Sequence, residues 1–135
     1  MSLLSLTKDS IDLGIVTNDP AASVAFYRDT IGLTHIGELN PMPGTTVQQL
    51  LCGTSMIKII YNESKPPADA PPGGPQDATG YRYWTMFVKD VQEVFDRCIA
   101  AGANVAIPVT EFSPEMTIAI VEDPDGNWVE FVQQG

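Results

Sequence analysis

The stretch VEDPDGNWVEFVQQG, residues 121–135, decides how the rest of the chain is read. Asp123-Pro124-Asp125-Gly126-Asn127 is a run of turn formers: Pro presets φ, Gly tolerates positive φ, and Asp and Asn bond their own backbone. Trp128 to Val132 then reads as a strand of aromatic and branched residues, with one exception, Glu130. A carboxylate there lines a pocket, holds a metal, moves a proton or points to water. Strand side chains alternate, so Glu130 shares its face with Trp128 and Val132.

Working back from this strand, the chain repeats itself. Ile11, Leu13 and Ile15 alternate as in a strand, Asp19 is placed to cap a helix, and Pro20 takes the first helical position. Val24, Tyr27 and Ile31 follow at helical spacing, and Gly32 ends the run. The same order recurs from Tyr81. Asp90 is the cap, and Glu93 completes a capping-box pattern. Val91, Val94, Phe95, Cys98 and Ile99 form the apolar face, and Gly102 ends it. Further strands are expected at residues 34–39, 46–52 and 55–62, and again at 104–109, 116–121 and 128–133. Each half reads β-α-β-β-β.

Three segments result: a first module over 8–62, a linker over 63–79 and a second module over 80–135. The linker holds five prolines and two glycines, so it is expected to be semi-extended with no core of its own. At 135 residues with 44% apolar and 18% charged composition, the chain is long and apolar enough for a packed α+β domain. The net charge of −10 lacks the basic face that nucleic acid or anionic membrane requires. No apolar run approaches the ~20 residues of a membrane span. The first six residues carry no basic region, so a cytoplasmic protein is the default expectation. Cys52 and Cys98 sit among apolar residues, without metal spacing, and are expected to be reduced.

The paired βαβββ pattern, with DPAASVAFYRDTIGL in the first half and DPDGNWVEF closing the second, resembles the vicinal oxygen chelate superfamily. That group includes glyoxalase I, bleomycin-resistance proteins and extradiol dioxygenases. The resemblance implies an α+β, glyoxalase-like fold with a cupped, mixed or antiparallel eight-stranded sheet, and commonly a homodimer. It also implies a metal in the cup, held from the first and last strands of each module. Aligned on Asp19 and Asp90, these positions here are Asp12, Lys58, Tyr83 and Glu130.

Glu130 suits a divalent metal and Asp12 is tolerable; Lys58 brings a positive charge and no lone pair, and Tyr83 is an uncommon ligand. The metal is therefore doubted, and no other cofactor is implied. The alternative sets the Lys58 ammonium between Asp12 and Glu130 in place of a cation. Lys58, Glu130 and Tyr83 are then the catalytic candidates, for charge stabilisation, proton abstraction and proton donation. Asp12, Tyr81, Thr85, Phe87 and Trp128 are the pocket candidates, by strand parity. His35, the one histidine, has no partner for a nucleophilic system. Residues 108–116 are a connection that could overhang the cup. Two functions stay open: a lyase or isomerase moving a proton next to a carbonyl, and a non-catalytic protein sequestering an apolar or aromatic small molecule.

Overall fold

The computed structural model describes residues 3–135; the reading of the first six residues therefore falls partly on Met1 and Ser2, outside the described part. The chain divides into two compact units, Met1–Pro66 and Pro67–Gly135. The division falls inside the Pro-rich stretch.

The first unit runs β1 (Asp12–Val16), α1 (Pro20–Val24), a π-helical continuation (Ala25–Ile31), β2 (Thr34–Met42), β3 (Thr45–Cys52) and β4 (Ser55–Asn62). Its sheet order is β1-β4-β3-β2, with β1 parallel to β4 and the other pairs antiparallel. The second unit repeats this with β5 (Tyr83–Phe87), α2 (Val91–Ala100), β6 (Val105–Ser113), β7 (Met116–Glu122) and β8 (Trp128–Gln134). Its order is β5-β8-β7-β6, again with one parallel pair, β5 and β8. The fold is α+β, built of paired βαβββ modules of glyoxalase-like type.

In each unit the helix covers one face of the sheet, and that face is buried; in the second unit Ile118, Ile120 and Val132 of the other face are buried too. Ile57 and Ile59 of β4 are fully or nearly buried, as are Val129 and Phe131 of β8. The capping expectations hold at both helices. Asp19 Oδ1 accepts from the Ala22 amide and Asp90 Oδ1 from the Glu93 amide, both at 3.1 Å. Each satisfies an amide that the first helical turn would leave without a partner. The capping box is only half made, because the Glu93 side chain bonds Arg97 at 2.9 Å instead of turning back.

Several expectations needed correction. The first helix changes to π geometry at Ala25, and the amides of Gly32 and Leu33 both end on the Tyr27 carbonyl. Ile11 precedes β1 and is exposed, and Ile99 is 43% exposed at the rim of the α2 face. Residues 108–116 do not form an overhanging loop: β6 continues to Ser113 and turns directly into β7. Both β2 and β6 carry a proline, Pro41 and Pro108, which an edge strand tolerates because its outward N–H pairs with nothing.

The Pro-rich stretch is ordered where it meets the second unit. Arg82, the residue before β5, donates from Nε to the Gly74 carbonyl at 3.1 Å. Its Nη2 reaches the carbonyls of Pro71, Pro72 and Gly73 at 2.8–3.0 Å. Asp77 closes the loop from the other side, accepting from the Gly74 amide at 2.8 Å. The semi-extended linker without a core is thus, over residues 71–77, a fixed loop wrapped on a guanidinium.

Candidate functional site

The helix-free face of each sheet carries the residues that sequence parity selected, except Tyr81, and strand register shows which of them are neighbours. In the first unit the rows across this face are Asp12–Met56–Leu51, Gly14–Lys58–Gln49 and Val16–Ile60–Val47. In the second they are Tyr83–Trp128–Glu122, Thr85–Glu130–Ile120 and Phe87–Val132–Ile118. Lys58 and Glu130 therefore hold equivalent places in the middle row of their own units.

Their surroundings differ. Asp12 Oδ1 accepts from Lys8 Nζ at 2.7 Å, and Asp12 Oδ2 lies 3.5 Å from Lys58 Nζ. The Lys8 hydrogen bond, opposed by desolvation and aided by the charges of Lys8 and Lys58, holds the Asp12 carboxyl below its ordinary value of 3.8. Lys8, which lies in the coil before β1, was not among the sequence candidates, because outside a helix its four-residue spacing from Asp12 predicts no contact. The depressed value means that the ion pair persists above the unfolded carboxyl's titration and is lost as pH falls through the lower folded value. An NMR titration should place the Asp12 midpoint below 3.8, and Lys8→Ala should move it back up. A midpoint unmoved by Lys8→Ala would show that the contact does not persist in solution.

Glu130 is engaged differently. Its Oε1 accepts from the Thr85 hydroxyl at 2.6 Å, directly across the parallel β5–β8 pair. Within the units, Lys58 pairs with Asp12 and Glu130 with Thr85. Around Glu130 the face is aromatic. Tyr83 is 50% exposed and Phe87 66%, on the edge strand, and Trp128 is half-buried beside Tyr83. Tyr81 lies before β5 and is fully exposed, so it adds nothing to the rows. The second unit carries eleven acidic and three basic residues, a net −8, against −2 in the first unit.

The remaining candidates separate from these faces. His35 bonds Gln48 through Nε2 at 2.7 Å and is paired in register with Leu50 of the core face. Both cysteines are free. Cys98 is fully buried, and burial pushes its thiol up to about 11, so it is a packing residue and not a nucleophile.

The donor set does not suit a metal. Asp12 already faces two ammonium groups, one of them at a ligand position, and Glu130 is bonded by a hydroxyl. Among the described residues no group of three or more His, Cys, Asp or Glu is placed to hold a metal ion. A cation at the Lys58 position would have to displace a positive charge that cannot ligate it.

Comparison with solved structures finds the same fold repeatedly. The structure of SMU.1112c is 26% identical, with a TM-score of 0.71 over 94% of this chain and 99% of that one. A glyoxalase family protein from Bacillus cereus superposes with a TM-score of 0.83 at 18% identity, covering 99% and 98% of the two chains. TnmS3, an antibiotic binding protein from Streptomyces sp. CB03234, gives 0.68 at 16% identity over 98% and 99%. Comparison with curated proteins gives no match. The family model for the Glyoxalase/Bleomycin resistance protein/Dioxygenase superfamily matches residues 10–131, nearly the whole chain, and the protein belongs to that superfamily.

Proposed function

We propose that the protein binds a planar aromatic small molecule, cationic or neutral, at the exposed aromatic edge of the helix-free sheet face of its second unit. The observation that carries this reading is the row pair Tyr83–Trp128 and Thr85–Glu130, flanked by Phe87. Aromatic rings in solvent-reachable positions beside one carboxylate offer stacking and a counter-charge together. The −8 of this unit adds a field that concentrates cations and repels anions. TnmS3, which shares the fold, is an antibiotic binding protein, so the reading has a counterpart on this scaffold.

One observation favours a second reading, proton transfer next to a carbonyl. Glu130 remains half-buried rather than sealed, and the Thr85 bond fixes its carboxylate toward the face that a ligand would occupy. Glu130 would then act as base, and Tyr83, one strand over and one row along, as proton donor.

The test is an equilibrium titration with proflavine, a planar aromatic cation, set against anilinonaphthalene sulfonate, an aromatic anion. Saturable binding of proflavine in preference to the sulfonate is the expected result. Equal affinity for both, or no saturation by either, would overturn the binding reading.

A further inference from the structure

The two glycines of the Pro-rich stretch are placed where an added Cβ would force a neighbouring side chain to shift. A Cβ on Gly74 would overlap Cζ3 and Cη2 of the Trp128 indole, and Gly74 itself is buried. At Gly73, φ is +97° and a Cβ would overlap the Asp77 carboxylate. The backbone of this loop therefore lies directly on the benzo edge of the one tryptophan that belongs to the Glu130 face. Arg82 keeps it there. A planar guanidinium spanning four successive carbonyls is a use that a lysine ammonium, a single point of charge, cannot reproduce.

We propose that residues 71–77 form a fixed wall of the aromatic site, and that Arg82 is the positioning residue that holds this wall against Trp128. This rests on the binding reading above for its ligand, though not for its geometry. The wall occupies the benzo edge of Trp128, so the indole cannot swing away from the sheet. A ligand stacks on the remaining indole surface and on Tyr83. Arg82 and Gly74 thus set which ring systems fit, without either having to touch them. Such a preformed wall favours rigid planar ligands, because the ordering cost is met on folding and not on binding.

The test uses Trp84→Phe as a background, leaving Trp128 as the chain's single tryptophan. In that background Arg82→Ala should release the wall. Acrylamide quenching of Trp128 should rise about threefold, as expected when a local contact opens while the fold persists. Arg82→Lys should fall between the two. Gly74→Ala keeps the Arg82 anchor but displaces the indole, and should shift the Trp128 emission maximum. Proflavine affinity should fall about three- to tenfold in Arg82→Ala, the cost of ordering one or two side chains again at binding. Unchanged quenching in Arg82→Ala, with circular dichroism showing a folded chain, would overturn the wall. Raised quenching with unchanged proflavine affinity would overturn its role in the site. If the unmutated chain binds no proflavine while Arg82→Ala still raises quenching, the binding reading fails and the wall stands as a brace on Trp128.

Discussion

Phe131→Ala is expected to lower stability by about 3–5 kcal/mol, the usual cost of emptying a buried phenylalanine site. Phe131 is fully buried, lies between Met86 and Ala119 in register, and shares its face with Val129, also fully buried. Helix α2 packs on this face and is tied to β8 by the Val91 amide, which donates to Gln133 Oε1 at 2.9 Å. Neighbours on three sides are thus fixed by hydrogen bonds and cannot collapse into the space. With typical stabilities of about 5–15 kcal/mol, this loss is a large fraction of the total. Urea unfolding should show a lower midpoint with an unchanged slope. Phe131→Leu keeps most of the volume and should cost less than about 1.5 kcal/mol. Ile99→Ala, at the exposed rim of α2, serves as the comparison and should cost far less. Equal losses for Phe131→Ala and Ile99→Ala would mean that the helix-covered face is not the core.

The fold was legible because one rule governs both modules: a helix on one sheet face makes one parity of most strands apolar, β7 being apolar and buried in both. Ile57, Ile59, Val129 and Phe131 follow that rule and are buried, while Asp12, Lys58, Tyr83 and Glu130 fall on the opposite parity, where Ile118, Ile120 and Val132 are buried as well. It failed where burial is set by ends and edges. Ile11 keeps the alternation of β1, yet it precedes the strand and has no neighbour to cover it. The π-helical turn at Ala25–Ile31 has apolar positions that fit an α-helix equally well, so periodicity cannot announce it.

At the site, parity gave the face of each residue but not its partner. Thr85 was a pocket candidate, and its bond to Glu130 follows only from the register of a parallel pair. Lys8 was invisible as a partner of Asp12 because it belongs to no strand. The loop over Trp128 was misread for a physical reason. Proline and glycine mark a chain that cannot donate or hold regular structure, which normally means an open linker. Here the free carbonyls of that same chain are what Arg82 binds.

Trp128→Ala is expected to weaken proflavine binding about ten- to a hundredfold, because stacking on an aromatic side chain is worth about 1–3 kcal/mol per ring by alanine substitution. The indole lies beside Tyr83 and next to the Glu130 row, so its removal takes away both the stacking surface and the support of the loop at Gly74. Glu130→Gln isolates the second contribution. It keeps the shape of the side chain and can still accept from Thr85, but it removes the charge. Its effect should be smaller, about three- to tenfold in 0.01 M salt, and should fade near 1 M, where the screening length drops to about 3 Å. The salt dependence also separates the two functional readings. A counter-charge loses its effect as salt rises, whereas a base that abstracts a proton is needed at every ionic strength. A Glu130→Gln loss confined to low salt supports binding alone. If Glu130→Gln binds proflavine normally at all salt concentrations while Trp128→Ala does not, the carboxylate is no counter-charge, and proton transfer becomes the function to assay at Glu130.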